Sequence, residues 1–261
     1  MAGLEGRVAV VTGGSKGIGK AIAGALAAQG ADCLIAARTD ADLAATARSI
    51  SDETGARIET CAGDLRTMEG CESLHRRAID VFGGVDILIN SAGATKGGPF
   101  LEQDDAAWQD GFALKFHAAV RLSRLFWPAL VESHGTVVNI GGGLARTPAA
   151  DIMVGGAVNA ALANFSKALA GLGLRDDVNV NTIHPGQTVT ERLTTILAAR
   201  ADAAGVTPEV FQQSLVEKQG IRRLGTPEDV AHLAVFLCLP DSRHIHGVSI
   251  SVDGGATAGL F

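Results

Sequence analysis

The stretch that decides the fold reads Arg7-Val-Ala-Val-Val-Thr-Gly-Gly-Ser-Lys-Gly-Ile-Gly19. Its valine-rich beginning predicts a strand buried on both faces. Four glycines then follow within seven residues, and the small residues at 21–28 predict a helix. A glycine turn between strand and helix lets the backbone approach a pyrophosphate, which the N–H groups of the first helical turn then face. The stretch therefore predicts an anion-binding turn, with a tight strand–helix connection that binds no ligand as the alternative.

Strand and helix patterns alternate along the rest of the chain. The later strands are predicted at residues 32–37, 57–62, 85–90, 135–140, 178–183 and 248–252, and the helices between them near 40–53, 68–82, 103–131 and 152–173. Strands separated by helices of this length form right-handed crossovers and a parallel sheet. We therefore predict an α/β protein with one doubly wound domain over residues 1–261, whose seven-stranded parallel sheet has helices on both faces.

The composition fits a large core and disfavours several classes of partner. Of the 261 residues, 47% are hydrophobic and 19% are charged, with a net charge of −6. This charge disfavours nucleic acid and anionic membranes as partners, and no apolar run reaches the roughly 18 residues that span a bilayer. The chain start lacks the pattern of a signal peptide, and the four cysteines form no Cys-x-x-Cys pair. We therefore expect a cytoplasmic protein with reduced thiols and no metal site.

The glycine spacing Thr-Gly-x-x-x-Gly-x-Gly resembles that of the short-chain dehydrogenase/reductase family, and the resemblance covers nearly the whole chain. Asn90-Ser-Ala-Gly93 resembles the family's Asn-Asn-Ala-Gly, and Pro185-Gly-Gln-Thr-Val-Thr190 resembles its Pro-Gly-x-x-x-Thr segment beside the nicotinamide. The resemblance implies a Rossmann domain with the cofactor along the carboxyl ends of the strands. It also implies a homodimer or homotetramer. The cofactor-binding residues that it implies are Gly13, Ser15, Lys16, Gly17, Ile18, Gly19, Arg38, Thr39, Asp64, Leu65, Asn90, Ala92, Gly93, Pro185, Gly186, Thr188 and Thr190.

The residue after the second predicted strand favours NADP(H) over NAD(H). Arg38 stands where an acidic residue would bond the ribose 2′-hydroxyl, and an arginine instead pairs with a 2′-phosphate. Lys16, inside the glycine turn, would add a second positive charge; the alternative is that both are solvated surface cations. After the third strand, Asp64 would accept a hydrogen bond from the adenine amine, or cap the following helix, or do both.

All four catalytic side chains of the family are replaced in this alignment. The resemblance places the family's Asn, Ser, Tyr and Lys at Lys115, Gly142, Gly155 and Asn159, and the chain contains no tyrosine at all. The two glycines would widen the pocket. Lys115 and Asn159 would exchange places across the site and keep an ammonium near the nicotinamide ribose. The chain is thus identified as a divergent member of the family, with Lys115 and Asn159 as candidate catalytic residues.

Three mechanisms stay open at this point. In the first, an NADP(H)-dependent oxidoreductase acts on a carbonyl or conjugated substrate, with Lys115 as proton donor or electrophile because partial burial lowers its pKa. In the second, the substrate brings its own acid and Lys115 only fixes the ribose. In the third, the domain binds NADP(H) without turnover or catalyses a non-redox reaction. For Lys115 itself, the alternative is a helix lysine with its ammonium in water.

Further residues are expected around the mouth of the site. The less regular segment 191–222 would cap a small-molecule substrate as a lid. Thr147 and Asp151 are expected near the mouth, and Asp151 also fits the N-cap of the next helix. His117 lies two positions after Lys115 and would point away from it on a helix, and His184 is expected to be structural.

Overall fold

A seven-stranded parallel sheet forms the centre of the protein. The computed structural model describes residues 3–259. The strands are β1 (Val8–Thr12), β2 (Asp32–Ala37), β3 (Ile58–Ala62), β4 (Ile87–Asn90), β5 (Thr136–Ile140), β6 (Asn179–Pro185) and β7 (Ser249–Val252). They lie in the order β3-β2-β1-β4-β5-β6-β7, and every neighbouring pair is parallel. The predicted fold class is confirmed; of the predicted domain range, residues 1–2 and 260–261 lie outside the described residues.

Helices cover both faces of this sheet. Those of residues 3–259 are α1 (Gly17–Ala27), α2 (Asp40–Thr54), α3 (Met68–Phe82), α4 (Asp105–Phe112), α5 (Ala118–Glu132), α6 (Met153–Asp176), α7 (Glu191–Ala204), α8 (Pro208–Gln219) and α9 (Pro227–Cys238). One apolar core joins the sheet to α1, α2 and α9, and a second joins it to α3, α5 and α6. Val10 and Val11 of β1 enter opposite cores, because side chains alternate along a strand.

The helical region predicted near 103–131 is interrupted in its first half. Helix α4 passes into a π-helical segment, Ala113–His117, before α5 continues with regular geometry. A π-segment inserts one extra residue per turn and is frequent at functional sites. Lys115 lies at the centre of this segment, so the interruption decides where its side chain is directed.

The sheet order places a topological switch point between β1 and β4. From β1 the chain adds β2 and β3 on one side, and from β4 it adds β5, β6 and β7 on the other. Ligands of doubly wound sheets bind outside the carboxyl ends of the strands at such a point. The segment 191–222, which follows β6, folds into α7 and α8 around a small apolar cluster of Leu197, Ile221 and Leu224. Its function as a lid stays a prediction.

Residues 3–259 contain neither a membrane-spanning helix nor a group of metal ligands. No helix there has both the length and the apolar character needed to cross a bilayer. In the same part of the chain, His, Cys, Asp and Glu side chains form no group of three that could hold a metal ion.

Candidate active site

A cavity of about 1000 Å³ opens beside the switch point. Its walls include the loops that follow β1, β4, β5 and β6, and α7 covers one side. Much of the lining is glycine, so backbone rather than side chain faces the space. Its volume is at the upper end of the range for ligand pockets.

This cavity brings together most of the predicted site residues. Those that line it are Gly13, Lys16, Gly17, Ile18, Gly19, Ala92, Gly93, Lys115, Pro185, Gly186, Thr188 and Thr190. The predicted residues outside its lining are Ser15, Arg38, Thr39, Asp64, Leu65, Asn90 and Asn159. Of the second group, Arg38 and Thr39 are exposed at the end of β2, Ser15 and Asp64 are partly buried, and the other three are buried.

The glycine turn after β1 has the geometry that its spacing predicts. Gly13 and Gly17 have φ angles of +68° and +55°, which an L side chain rarely adopts. A Cβ on Gly19 would collide with the carbonyl oxygen of Gly13, so helix and turn pack as closely as the motif requires. The Nζ of Lys16 lies 3.3 Å from a carboxylate oxygen of Asp42 and 3.6 Å from one of Glu191. These two carboxylates reduce the positive charge that Lys16 would add for a phosphate.

Arg38 and Asp64 lie at the neighbouring ends of β2 and β3. Arg38 is exposed, whereas the Asp64 carboxylate lies 2.7 Å from the guanidinium of Arg66, which lowers the pKa of Asp64. The helix-cap alternative for Asp64 is wrong, because Thr67 caps α3 with its own hydroxyl. Leu65 buries its side chain in the core. Contact of this region with an adenine stays a prediction.

Asn90 is the buried end of β4. Its side-chain amide donates a hydrogen bond to the side-chain oxygen of Asn139 at 2.8 Å, and Asn139 donates in turn to the Ser166 hydroxyl. These side chains fix the ends of β4 and β5 under the cavity. The two loops above them, which begin at Ser91 and Gly141, therefore rest on a rigid base.

Lys115 lies in the wall of the cavity. Its ammonium donates a hydrogen bond to the carbonyl oxygen of Gly141 at 2.9 Å. Burial, with a smaller effect of the Arg192 charge, lowers the pKa of Lys115 to about 8. A Cβ on Gly93 would come within 2.8 Å of the lysine stem, so the glycine makes room for it. The surface-lysine alternative is wrong.

Asn159 lies behind the cavity wall and not in it. It is buried, its side-chain nitrogen would lie 2.9 Å from a Cβ on Gly142, and its side-chain oxygen has no hydrogen-bond partner within residues 3–259. Lys115 and Asn159 thus both lie against the loop Gly141–Gly142. The exchange of places between Lys115 and Asn159 across the site stays a prediction.

Gly142 and Gly155, the two glycines predicted at the Ser and Tyr positions of the family, differ from each other. Gly142 lines the cavity, but Gly155 is buried and outside the lining. A Cβ on Gly155 would lie 3.0 Å from Thr95 and 3.0 Å from Ile152, two residues that themselves line the cavity. Neighbouring side chains thus lie close to the Cβ position of Gly155, and the widening of the pocket stays a prediction.

Neither of the two histidines near the site lines the cavity. The Nδ1 of His184 accepts a hydrogen bond from the Gly142 backbone at 3.2 Å, and burial together with nearby cations lowers its pKa to about 4. His184 is therefore neutral near pH 7, as its predicted structural role requires. His117 lies outside the cavity lining and packs against Phe112 and Phe116.

Thr147 and Asp151 line the cavity mouth. The helix-cap alternative for Asp151 is wrong: Ile152 occupies the N-cap position of α6, without a side-chain cap. The Asp151 carboxylate instead lies 3.7 Å from the guanidinium of Arg200 on α7. This ion pair joins the mouth to the segment predicted as a lid.

Sequence reasoning missed Arg192, one of the cations that line the cavity. Arg192, in the first turn of α7, donates a hydrogen bond to the backbone carbonyl of Thr95 at 2.6 Å and lines the cavity. Its only signal in the sequence was a position two residues after Thr190, at the start of the predicted lid. The turn after β7 also contributes lining residues, among them Asp253 and Thr257.

Comparison with known proteins identifies relatives over the full length of the chain. The family model described as short chain dehydrogenase matches residues 7–201. An uncharacterized oxidoreductase of Mycobacterium tuberculosis (strain CDC 1551 / Oshkosh) is 37% identical over 259 residues, which are 97% of this chain and 93% of that protein. The D-beta-hydroxybutyrate dehydrogenase of Cupriavidus necator is 32% identical, over 98% of this chain and 99% of its own. L-sorbose reductase from Gluconobacter frateurii, crystallised with NADPH and L-sorbose, superposes with a TM-score of 0.96 at 33% identity over 100% of both chains.

Proposed function

Because this chain belongs to the short chain dehydrogenase family, we propose that it is an NADP(H)-dependent oxidoreductase with a non-standard active site. Its substrate would be a carbonyl compound or alcohol, or a conjugated alkene. The observation that carries the proposal is the Lys115 ammonium in the wall of the same cavity as the glycine turn. A cation with a pKa of about 8 in that position is a suitable proton donor near neutral pH.

The residues present fit a nicotinamide dinucleotide. The glycine turn 13–19 would hold the pyrophosphate with backbone N–H groups. Ala92 and Gly93 present little side chain to the cavity, and Thr188 and Thr190 would hold the carboxamide. When bound, the cofactor supplies or accepts the hydride. Arg38 supports the phosphorylated form, because it is exposed at the end of β2 where a 2′-phosphate would lie; the solved L-sorbose reductase also binds NADPH.

We further propose that the family's Asn, Ser, Tyr and Lys positions are occupied here by Lys115, Gly142, Gly155 and Asn159. In reduction, Lys115 would donate the proton from Nζ to the substrate oxygen while the Gly141 carbonyl holds its ammonium in place. Asn159 would support the loop that carries this carbonyl. Helices α7 and α8 would exclude water as a lid.

A second candidate is NADP(H) binding without redox turnover, or a non-redox reaction. It is favoured by the lack of any tyrosine in the chain and by the glycine at position 142, where no hydroxyl faces the cavity. Under this candidate Lys115 would only fix the ribose. A substrate that brings its own acid, such as a phenol, would give the same role to Lys115 with turnover retained.

The two candidates are separated by binding and turnover measurements on one preparation. NADPH and NADH are titrated by fluorescence, and NADPH absorbance is then followed with a panel of carbonyl compounds and enones. The proposal expects tighter binding of NADPH, turnover of at least one compound, and a loss of 10²-fold or more in kcat/KM for Lys115→Met. Lys167→Met is the matched control, since Lys167 also donates to a glycine carbonyl, at 2.8 Å, but lies outside the cavity lining. Binding without any consumption would support the second candidate.

We also propose a homodimer or homotetramer in the cytoplasm. The four free cysteines suit a reducing compartment. Large apolar side chains such as Leu174 and Phe236 are 76% and 43% exposed in the single chain, which suits burial against a second copy. Light scattering coupled to size exclusion would give the assembly directly; a monomer at micromolar concentration would contradict this part.

A further inference from the structure

The cavity is lined by more cations than carboxylates, and not every cation has a carboxylate partner. Four cations and three carboxylates line it within the described residues, namely Lys16, Lys115, Arg192, Arg200, Asp151, Glu191 and Asp253. Glu191 pairs with Lys16 and Asp151 with Arg200. Both oxygens of Asp253 accept backbone N–H bonds at 3.0 Å. Every carboxylate of the lining thus already has a partner of its own.

Two cations are left without an anionic partner among residues 3–259. The ammonium of Lys115 meets only the Gly141 carbonyl, and the guanidinium of Arg192 meets only the Thr95 carbonyl. One backbone acceptor satisfies only one of the five N–H groups of a guanidinium. Burial disfavours the charge of Lys115, whereas Arg192 is exposed to solvent beside the cavity. An anion that enters the cavity therefore meets two positive charges that no carboxylate of the described residues already neutralises, and this pair favours an anionic ligand.

The two cations flank the same short stretch of backbone. The stem of Lys115 lies against Gly93, and Arg192 is bonded to Thr95. Residues two positions apart have Cα atoms within about 7 Å, so the Lys115 stem and the Arg192 guanidinium lie along the same part of the wall. The charge of Arg192 also contributes to the lowered pKa of Lys115.

We propose that the substrate carries a carboxylate that Arg192 binds, with the reacting oxygen held at Lys115. This inference rests on the proposed function and narrows it to oxo acids and the matching hydroxy acids. In reduction, the carbonyl carbon gains the hydride of NADPH, which becomes NADP⁺. The oxygen gains a proton from Lys115, which solvent replaces, and the carboxylate is unchanged.

The alternative anion that Arg192 could bind is a phosphate of the cofactor. The glycine turn 13–19 already provides backbone donors for a pyrophosphate, and Lys16 is the cation of that turn. Arg192 instead follows Thr190, at the nicotinamide end of the predicted site. The substrate carboxylate is therefore the better match, and the nucleotide affinity of an Arg192 variant separates the two sources.

The test is a calorimetric titration with an isosteric pair, phenylglyoxylate and phenylglyoxamide, on the protein with and without saturating NADP⁺. Neither compound can be reduced under these conditions, so binding alone is read. We expect the carboxylate to bind at least 10-fold more tightly than the amide. Arg192→Gln should remove about 10- to 100-fold from carboxylate binding, since it deletes a charge-assisted bidentate contact, and should leave amide binding unchanged.

Matched variants keep the result interpretable. Arg200→Gln removes a charge from the same helix that already has Asp151 as partner, and should change carboxylate binding by less than 2-fold. Arg192→Lys should retain part of the preference. All variants should melt at the temperature of the wild-type protein. If Arg192→Gln does not, Arg192→Lys takes its place in the comparison.

Three results would overturn the inference. They are equal or undetectable binding of the two compounds by the wild-type protein, an undiminished preference in Arg192→Gln, and a 10-fold loss of NADPH affinity in that variant. A carboxylate preference without NADPH oxidation by any substrate would leave the inference intact and defeat the redox proposal. Turnover of neutral ketones without a carboxylate preference would support the redox proposal and overturn the inference.

Discussion

Replacing Lys115 by methionine should make the protein more stable near pH 7. The two side chains have similar length, so the cavity wall is kept while the charge is removed. Burial lowers the pKa of Lys115 from 10.5 to about 8, and a shift of this size corresponds to a cost of at most about 3 kcal/mol for the charged form. Water in the cavity reduces this cost, and the lost hydrogen bond to Gly141 removes about 1 kcal/mol. The expected net gain is about 1–2 kcal/mol.

The sign of the pH dependence follows from the direction of the shift. Between about pH 8 and pH 10.5, the unfolded chain binds the proton of Lys115 and the folded chain does not. The wild-type free energy of unfolding therefore gains from this group as pH rises through that window. In Lys115→Met this gain is missing, so its advantage should be largest below pH 8 and vanish near pH 10.

Urea unfolding at pH 7 and at pH 9.5, followed by circular dichroism, gives both free energies. In thermal scans the variant should melt about 2–8 °C higher at pH 7. Lys167→Met, on the surface, should show neither effect. A variant less stable than the wild type at pH 7, or an advantage that persists at pH 9.5, would refute the view of Lys115 as a partly buried charge kept for function.

Three further predictions test other parts of the description. Arg38→Ala should weaken NADPH binding about 10- to 100-fold, since a charge-assisted pair with the 2′-phosphate is lost, and should change NADH binding less than 3-fold in the same fluorescence titration. Gly19→Ala should weaken binding of both nucleotides by 10-fold or more, because its Cβ collides with the glycine turn, whereas Gly24→Ala, whose Cβ meets only one atom at 3.9 Å, should bind normally. Asp229→Asn should lower the free energy of unfolding by about 1 kcal/mol at pH 7, since Asp229 pairs with Arg223 and caps α9. These contacts hold the pKa of Asp229 well below its usual range, so the difference should shrink as pH falls below 4 in acid unfolding curves.

The sheet was predictable because its strands carry strong local signals. Apolar runs mark β1, β2 and β4, and apolar residues interspersed with polar ones mark the other strands. The predicted and observed limits differ by two residues at most. Helix α9 likewise begins with a local signal, Pro227 followed by the acidic residues Glu228 and Asp229. These features depend on residues close together in the chain, which a sequence presents directly.

The features that sequence reasoning missed depend on contacts between distant segments. Nothing in the residues 113–117 signals a π-segment, because one inserted residue barely alters a helical apolar pattern. The glycine at 155 shows that a side chain is lacking, but not that Thr95 and Ile152 lie 3.0 Å from its Cβ position. Arg192 becomes a cavity residue only once α7 has folded back over the loop at Thr95.

The crowding around Gly142 and Gly155 limits which side chains these two positions accept. A serine at 142 would press on Asn159, and a tyrosine at 155 would press on Thr95 and Ile152. Neither a serine at 142 nor a tyrosine at 155 can be introduced by a single mutation without displacing a neighbour. An engineer who wishes to place a phenol in this cavity must therefore redesign several positions together.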